Sequence, residues 1–323
     1  MCPVRNLISL RPLLLTLLLC SPLGAHAKAL RFFVLGDLPY AQSEERQLRR
    51  LLDAAVAQGS PFLVHLGDIK GGCAPCTDAS LEVIADIFRS QPVPVVYTPG
   101  DNEWTDCHRW CAGGLDPLQR LERLRQVFFA DAGVLRLDGL EGLRGLAGSL
   151  GRRYPEILSF TRDGVVMVAL HVVGSDNGFR QRDAAAQAEM DARDHANAAL
   201  LRRTAELAAG QGARAMVVFF HADPLFERSQ PSKGFAATLR SLVDLMAVYP
   251  GRVLLIHGDS HHFRYDRPLR DPATGARIDR FERAEVPGSP SVGGLWISVD
   301  PEAAQPFTVE EVYPAAREGF DDP

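Results

Sequence analysis

Four short apolar runs in this chain end in the same dipeptide, Gly-Asp: Asp37 follows FFVLG, Asp68 follows LVHLG, Asp101 follows VYTPG and Asp259 follows LLIHG. A single aspartate at a strand end ordinarily serves as a turn residue or helix cap. Four of them, with His221 closing MVVFFH and His261 close behind Asp259, make a different set. Carboxylates gathered in one crevice repel one another, so either their pKa values rise or a cation sits among them. A mixture of carboxylate and imidazole suits Mn, Fe, Zn or Mg better than a thiolate-selective metal.

The elements that must carry these residues follow from periodicity. LRFFVLGD, PFLVHLGD and VPVVYTPGD read as strands, separated by amphipathic helices at 43–58, with Ser43 as N-cap and two glutamates in the first turn, and at 78–90. Such alternation implies βαβ units and a largely parallel sheet with helices on its faces. In an open sheet of that kind the carboxyl ends of the strands line the crevice where ligands bind, which brings the four aspartates to one edge. A helix over 116–129 follows. Residues 158–174 read as a hairpin with Asp163-Gly164 at its turn, and 183–209 as a long alanine-rich helix. AMVVFFH, a helix over 234–249, RVLLIHGD and two terminal strands at 293–300 and 306–313 complete the chain.

At 323 residues and 46% hydrophobic, the chain can bury a full core. A formal net charge of −5 and the lack of a basic tract argue against a nucleic-acid grip through phosphate neutralisation. Arg5 and Arg11, the apolar stretch PLLLTLLLC, and Ala25 and Ala27 form a secretory leader over 1–27, leaving 28–323 as one domain. The apolar stretch is about half of the roughly 20 residues that span a bilayer, so no membrane span is expected once the leader is removed. Export to a periplasmic or extracellular compartment favours disulfides among Cys73, Cys76, Cys107 and Cys111 over a structural zinc site, with three connectivities open.

The ordered blocks GDLPY, GDIKGG, PGDNEW, FFHADP and HGDSHH, spanning about residues 31–265, resemble the calcineurin-like metallophosphoesterase superfamily. That resemblance implies a four-layer α/β/β/α sandwich of two mixed sheets flanked by helices. It also implies a two-metal site that hydrolyses a phosphomonoester or phosphodiester by a metal-bound hydroxide. Carried onto this chain, Asp37, Asp68 and His261 would hold one ion, and Asp68, Asp101, His221 and Asp259 the other, with Asp68 as the bridge. A phosphorylated small molecule is the implied substrate.

The chain departs from the family pattern in its first, third and last blocks. Pro39 stands where D-x-H has its histidine, so Tyr40 or water must replace a ligand. Asp101 and Asn102 stand at the Asn and His of GNH[DE], and Asp259 at the first His of GHxH. The added carboxylates favour hard cations, Mn or Mg, at the second site. With Asn102 in place of a proton-transferring histidine, His108 and Arg109 become candidates to act on the phosphate beside it. Loss of turnover altogether, leaving a metal-stabilised binding or scaffold protein, is the alternative.

Smaller expectations concern the surroundings. Strand alternation turns at least one of His257 and His262 away from the metals. Asp176 and Asn177 in GSDNGF sit on a turn that reaches toward substrate or merely closes the loop. Asp266 and Arg267 form a substrate contact or an exposed ion pair, and Trp104 and Trp110 wall the site or pack the cysteine loop. Ser260 as the nucleophile of a serine esterase is a third chemistry; such enzymes carry their catalytic histidine near the C-terminus, and none follows residue 262 here.

Overall fold

A computed structural model describes residues 29–314; the expected leader at 1–27 lies outside them. Twelve strands form two mixed sheets. In chain order they are β1 (Leu30–Leu35), β2 (Leu63–His65), β3 (Val95–Tyr97), β4 (Arg144–Gly145), β5 (Leu158–Arg162) and β6 (Val165–Ala169). Then come β7 (Ala215–Phe219), β8 (Arg252–His257), β9 (Arg264–Asp266), β10 (Phe281–Glu285), β11 (Gly294–Val299) and β12 (Phe307–Val312). The first sheet runs β12-β11-β1-β2-β3 and the second β4-β5-β6-β7-β8-β10-β9. β1, β2 and β3 are mutually parallel, as are β6, β7, β8 and β10; the outer pairings are antiparallel.

Each central strand is apolar on both faces, which is why its sequence reads as a continuous run rather than an alternation. In β1, Phe33 and Leu35 face the helices Gln42–Ala57 and Asp78–Arg89, while Phe32 and Val34 enter a core shared with the second sheet. In β7, Val217 and Phe219 reach that shared core, and Met216 and Val218 pack against the helices Ala184–Gly210 and Ala236–Val248. Three apolar layers between four layers of elements give the α/β/β/α sandwich.

The local signals resolve in detail. Asp163 and Gly164 take positive φ at the β5–β6 turn, and Asp183 caps the long helix through Ala185 and Ala186 N–H. Ser43 is not the cap of the first helix. Ala41 holds that position, because the Glu44 carboxylate accepts the Tyr40 N–H and the Ser289 hydroxyl and draws the helix start back. The strand β10, FERAE, escapes sequence reading because Glu282, Arg283 and Glu285 are buried charges whose partners come from β8, β9 and a distant loop.

Candidate metal centre

The carboxyl ends of β1, β2 and β3 meet those of β7 and β8 at one edge of the sandwich, and five of the six candidate ligands arrive there directly. The recurring Gly-Asp has a steric reason: the glycine of one block lies against the carboxylate of another. A Cβ on Gly100 would stand 2.2 Å from Asp68 Oδ1, and one on Gly258 would stand 2.1 Å from Asp37 Oδ2. Asp37, Asp68, Asp259 and His261 all adopt left-handed φ values of 56°, 54°, 81° and 63°. That region costs an L residue about 1–2 kcal/mol, and its concentration at one edge marks a functional centre.

Asp37, Asp68 and His261 have donor atoms within 4.8 Å of one another, and so do Asp68, Asp101 and His221. Asp68 belongs to both sets. Asp259 completes the group, its Oδ1 3.7 Å from His221 Nε2. The two histidines are oriented alike. His221 Nδ1 donates to Leu66 O at 2.8 Å and His261 Nδ1 to Ser289 O at 2.7 Å; a carbonyl can only accept, so in each ring Nε2 is the atom turned to the carboxylates. Backbone N–H groups fix the acids: Asp259 N donates to Asp37, Asn102 N to Asp68 Oδ1 at 3.0 Å, and Asp223 N to Asp259 Oδ2 at 2.9 Å.

Electrostatically the carboxylates of the cluster outnumber its cationic groups. Burial pushes the Asp37 and Asp68 carboxyls well above the ordinary range, with other carboxylates adding to the effect against His221. Asp259 rises to about 6, chiefly through burial. Burial opposes charge on His221 too, yet Asp68, Asp101 and Asp37 hold its pKa well above the usual value. Asp101 goes the other way: burial is outweighed by its contacts with His221, Asp106 and Ser175. A set of buried oxygen donors and two Nε2 atoms, short of cations and pinned from behind, fits hard or borderline divalent ions.

Tyr40 stands where Pro39 removes a histidine. Its hydroxyl donates to Asp68 Oδ2 at 2.7 Å and lies 3.1 Å from both His261 Nε2 and Asn102 Nδ2. Asn102 is buried against the cluster, its amide donating also to Asp68. Arg109 arrives at the rim: its guanidinium pairs with Asp106 at 2.6 Å, and both Arg109 Nη1 and Asn102 Oδ1 lie 2.8 Å from where a Gly72 Cβ would be. His108 does not join them; its Nδ1 meets Thr105 O and Arg180, each at 2.8 Å.

Several neighbours were not singled out by sequence. Ser175 Oγ lies 2.7 Å from Asp101 Oδ2 and 2.9 Å from Asp106 Oδ1. Asp106 itself is pushed up to about 7, first by burial and then by Asp101. Glu103 Oε1 accepts from Gly100 N, Asp68 N and Tyr97 Oη and so braces two of the strand ends. The GSDNGF loop was a visible signal, but Asp176 and Asn177 close the turn through Gly234, Asp194 and Arg193, and Ser175 is the residue that reaches the acids. Asp106 carried no local signal, whereas Glu103 fills the acidic last position of GNH[DE] in the block PGDNEW.

The remaining expectations resolve plainly. His257 is buried with Nδ1 on Gly258 O, and His262 is exposed with Nδ1 on Ser260 O. Asp266 pairs with Arg283 at 2.6 Å, and Arg267 lies 3.6 Å from Glu282. Trp104 packs edge-on against His171, whereas Trp110 is 93% exposed. The Ser260 hydroxyl donates to Glu285 and accepts from Arg264 at 2.7 Å; among the described residues no histidine meets that hydroxyl, which removes the serine-nucleophile chemistry. The cysteines form two disulfides, Cys73–Cys111 and Cys76–Cys107, tying the GDIKGG and GDNEW loops together.

No family model matches the chain, and no curated protein matches it. Solved structures do. A dimetal phosphatase from Danio rerio superposes with a TM-score of 0.51 at 12% identity, over 88% of this chain and 99% of that one. PhoD superposes with a TM-score of 0.53 at 13% identity, over 86% of this chain and 65% of that one. Two mixed sheets between helices, superposing on these structures, give this chain the same α/β/β/α fold.

Proposed function

We propose that this chain is an exported, metal-dependent phosphoesterase acting on a phosphomonoester or phosphodiester of a small molecule. The observation that carries the reading is the pair of three-residue donor sets sharing Asp68, buried but for His261 and, among the described residues, without an arginine within 4.0 Å of their carboxylates. Asp37, Asp68 and His261 would hold one divalent ion, and Asp68, Asp101, His221 and Asp259 a second, with Mn or Mg favoured by the excess of carboxylate. Bound, such a pair supplies Lewis acidity, an activated water and charge stabilisation for an in-line displacement.

The chain's own groups do the rest. Tyr40 and Asn102 hold Asp68 from one side, the Asn102 amide donating to both Tyr40 Oη and Asp68 Oδ2. Asp106 holds the Arg109 guanidinium at the rim, where a planar fork matches two phosphate oxygens. Arg180, which meets His108 Nδ1 at 2.8 Å, adds a further guanidinium beyond that rim. Export accords with the two disulfides, and no helix among the described residues is long and apolar enough to cross a membrane.

One observation favours a second reading, a metal-loaded protein without turnover: the amide at position 102 cannot transfer a proton. Metal titration followed by an aryl-phosphate assay separates the two. The enzyme reading expects hydrolysis that appears with metal and disappears with chelator. Full occupancy with no cleavage of either an aryl monoester or a bis-aryl diester rejects it.

A further inference from the structure

Away from the metal centre, a cleft of about 920 Å³ opens between the helix Ala236–Val248, the segment after β7 and the loop between β9 and β10. That volume suits a small organic ligand. Its apolar side is formed by Phe226, Leu239, Val243 and Leu269. Leu239 and Val243 lie one turn apart on the helix and so present a single face.

The rim is arginine-rich. Arg228, Arg240, Arg270 and Arg277 all line the cleft, and among the described residues none has a carboxylate within 4.0 Å. Two acids on the same wall, Glu227 and Asp266, are already engaged by Arg283 at 2.8 and 2.6 Å. Asp271 keeps its charge while accepting the Ala273 N–H, so it and Asp244 stand against the four arginines. Positive charge is therefore in excess.

The decisive feature is the pairing of Arg270 with Arg277 across an isolated antiparallel bridge. Like charges placed directly opposite destabilise a strand pair. Arg270 Nη1 donates to Gly275 O at 2.9 Å within that hairpin, and with no carboxylate within 4.0 Å of either arginine among the described residues, an anion at this rim would offset their repulsion. We infer that this cleft is a second ligand site, for an organic anion with an apolar body: the Arg270–Arg277 pair and Arg240 take the anionic group, and Phe226, Leu239, Val243 and Leu269 take the body. This site is independent of the phosphoesterase reading, since it uses none of the residues assigned to the metals.

The test uses the whole protein and a probe of that chemistry, 8-anilinonaphthalene-1-sulfonate, followed by fluorescence, beside its uncharged analogue N-phenyl-1-naphthylamine. Saturable binding of one sulfonate per chain is expected, with the neutral analogue at least tenfold weaker. Arg270→Glu/Arg277→Glu should weaken the sulfonate at least tenfold while metal content stays at the wild-type level. If that double variant misfolds, Arg240→Glu on the exposed helix face gives the same reading with a smaller loss. Equal affinity for both probes, or unchanged sulfonate binding in both variants, overturns the inference.

Discussion

Two buried clusters in this chain are made from the same residue types and reach opposite electrostatic states. Glu156 and His171 are fully buried, 2.8 Å apart, and Arg125 closes the group at 2.6 Å from Glu156. Although burial alone would raise it, contacts with His171 and Arg125 hold the Glu156 carboxyl down at about 2. Asp37 and Asp68, equally buried, are driven up, because among the described residues no Lys or Arg lies within 4.0 Å of either. The contrast teaches a working distinction. A buried carboxylate that serves the fold brings its own guanidinium; one that awaits a cation from outside is left without.

Asp68→Asn should produce the largest effect, because it removes the shared donor of both sets. Hydrolysis of an aryl phosphate is expected to fall on the order of 10³-fold with loss of bound metal, while the metal-free protein unfolds at unchanged or higher urea concentration. A strongly destabilised metal-free variant would place Asp68 with Glu156 as a structural acid and break the comparison. Arg125→Ala tests the other cluster. It strips a charge partner from Glu156 and is expected to cost about 3 kcal/mol in urea unfolding, with kcat/KM per folded molecule within about twofold of wild type.

Arg109 stands beside the acidic cluster, paired with Asp106 and donating to Ser175 Oγ at 3.3 Å, and stays 42% exposed. If it serves substrate rather than the fold, Arg109→Ala should raise KM for an aryl phosphate roughly tenfold with stability within about 0.5 kcal/mol of wild type. Arg109→Lys should recover only part of the loss, since an ammonium lacks the fork.

The smallest effect is a pH dependence. Burial holds folded His171 down to about 4, whereas an unfolded histidine takes its proton near 6.5. Between those values the unfolded chain binds the extra proton, so the His171 contribution to stability is present at neutral pH and lost as pH falls from about 6.5 to 4. The slope is up to about 1.4 kcal/mol per pH unit. Glu156 has the same sense lower down: its contribution is present above about 4.5 and lost as pH falls toward 2. Urea titrations at stepped pH should show the first loss flattened in His171→Gln; an identical slope in the variant would mean that His171 is charged in the folded protein.

How much could be read in advance differs between the two clusters. The acidic one was legible because its members repeat a local pattern, an apolar run closed by Gly-Asp. The reason for the repeat is steric and shared, since Gly100 and Gly258 yield space to Asp68 and Asp37. Glu156, Arg125 and His171 come from three unrelated stretches and carry no common signal. Nor do Asp106 and Ser175, which lie in loops whose paths depend on a disulfide and on left-handed turns at residues 175–177.

By itself the sequence determined the order of strands and helices, the two-faced apolar strands that demand covering layers, and the residues delivered to the strand ends. Those properties are local: they follow from periodicity, turn chemistry and the chain direction of parallel strands. Tertiary structure alone decided the cysteine pairing, the seat of Tyr40 between Asp68 and His261, the contact of Ser175 with Asp101, and which buried acids have an arginine. Each of these depends on the distance between side chains far apart in the chain, and that distance is set only when the two sheets close on their shared core.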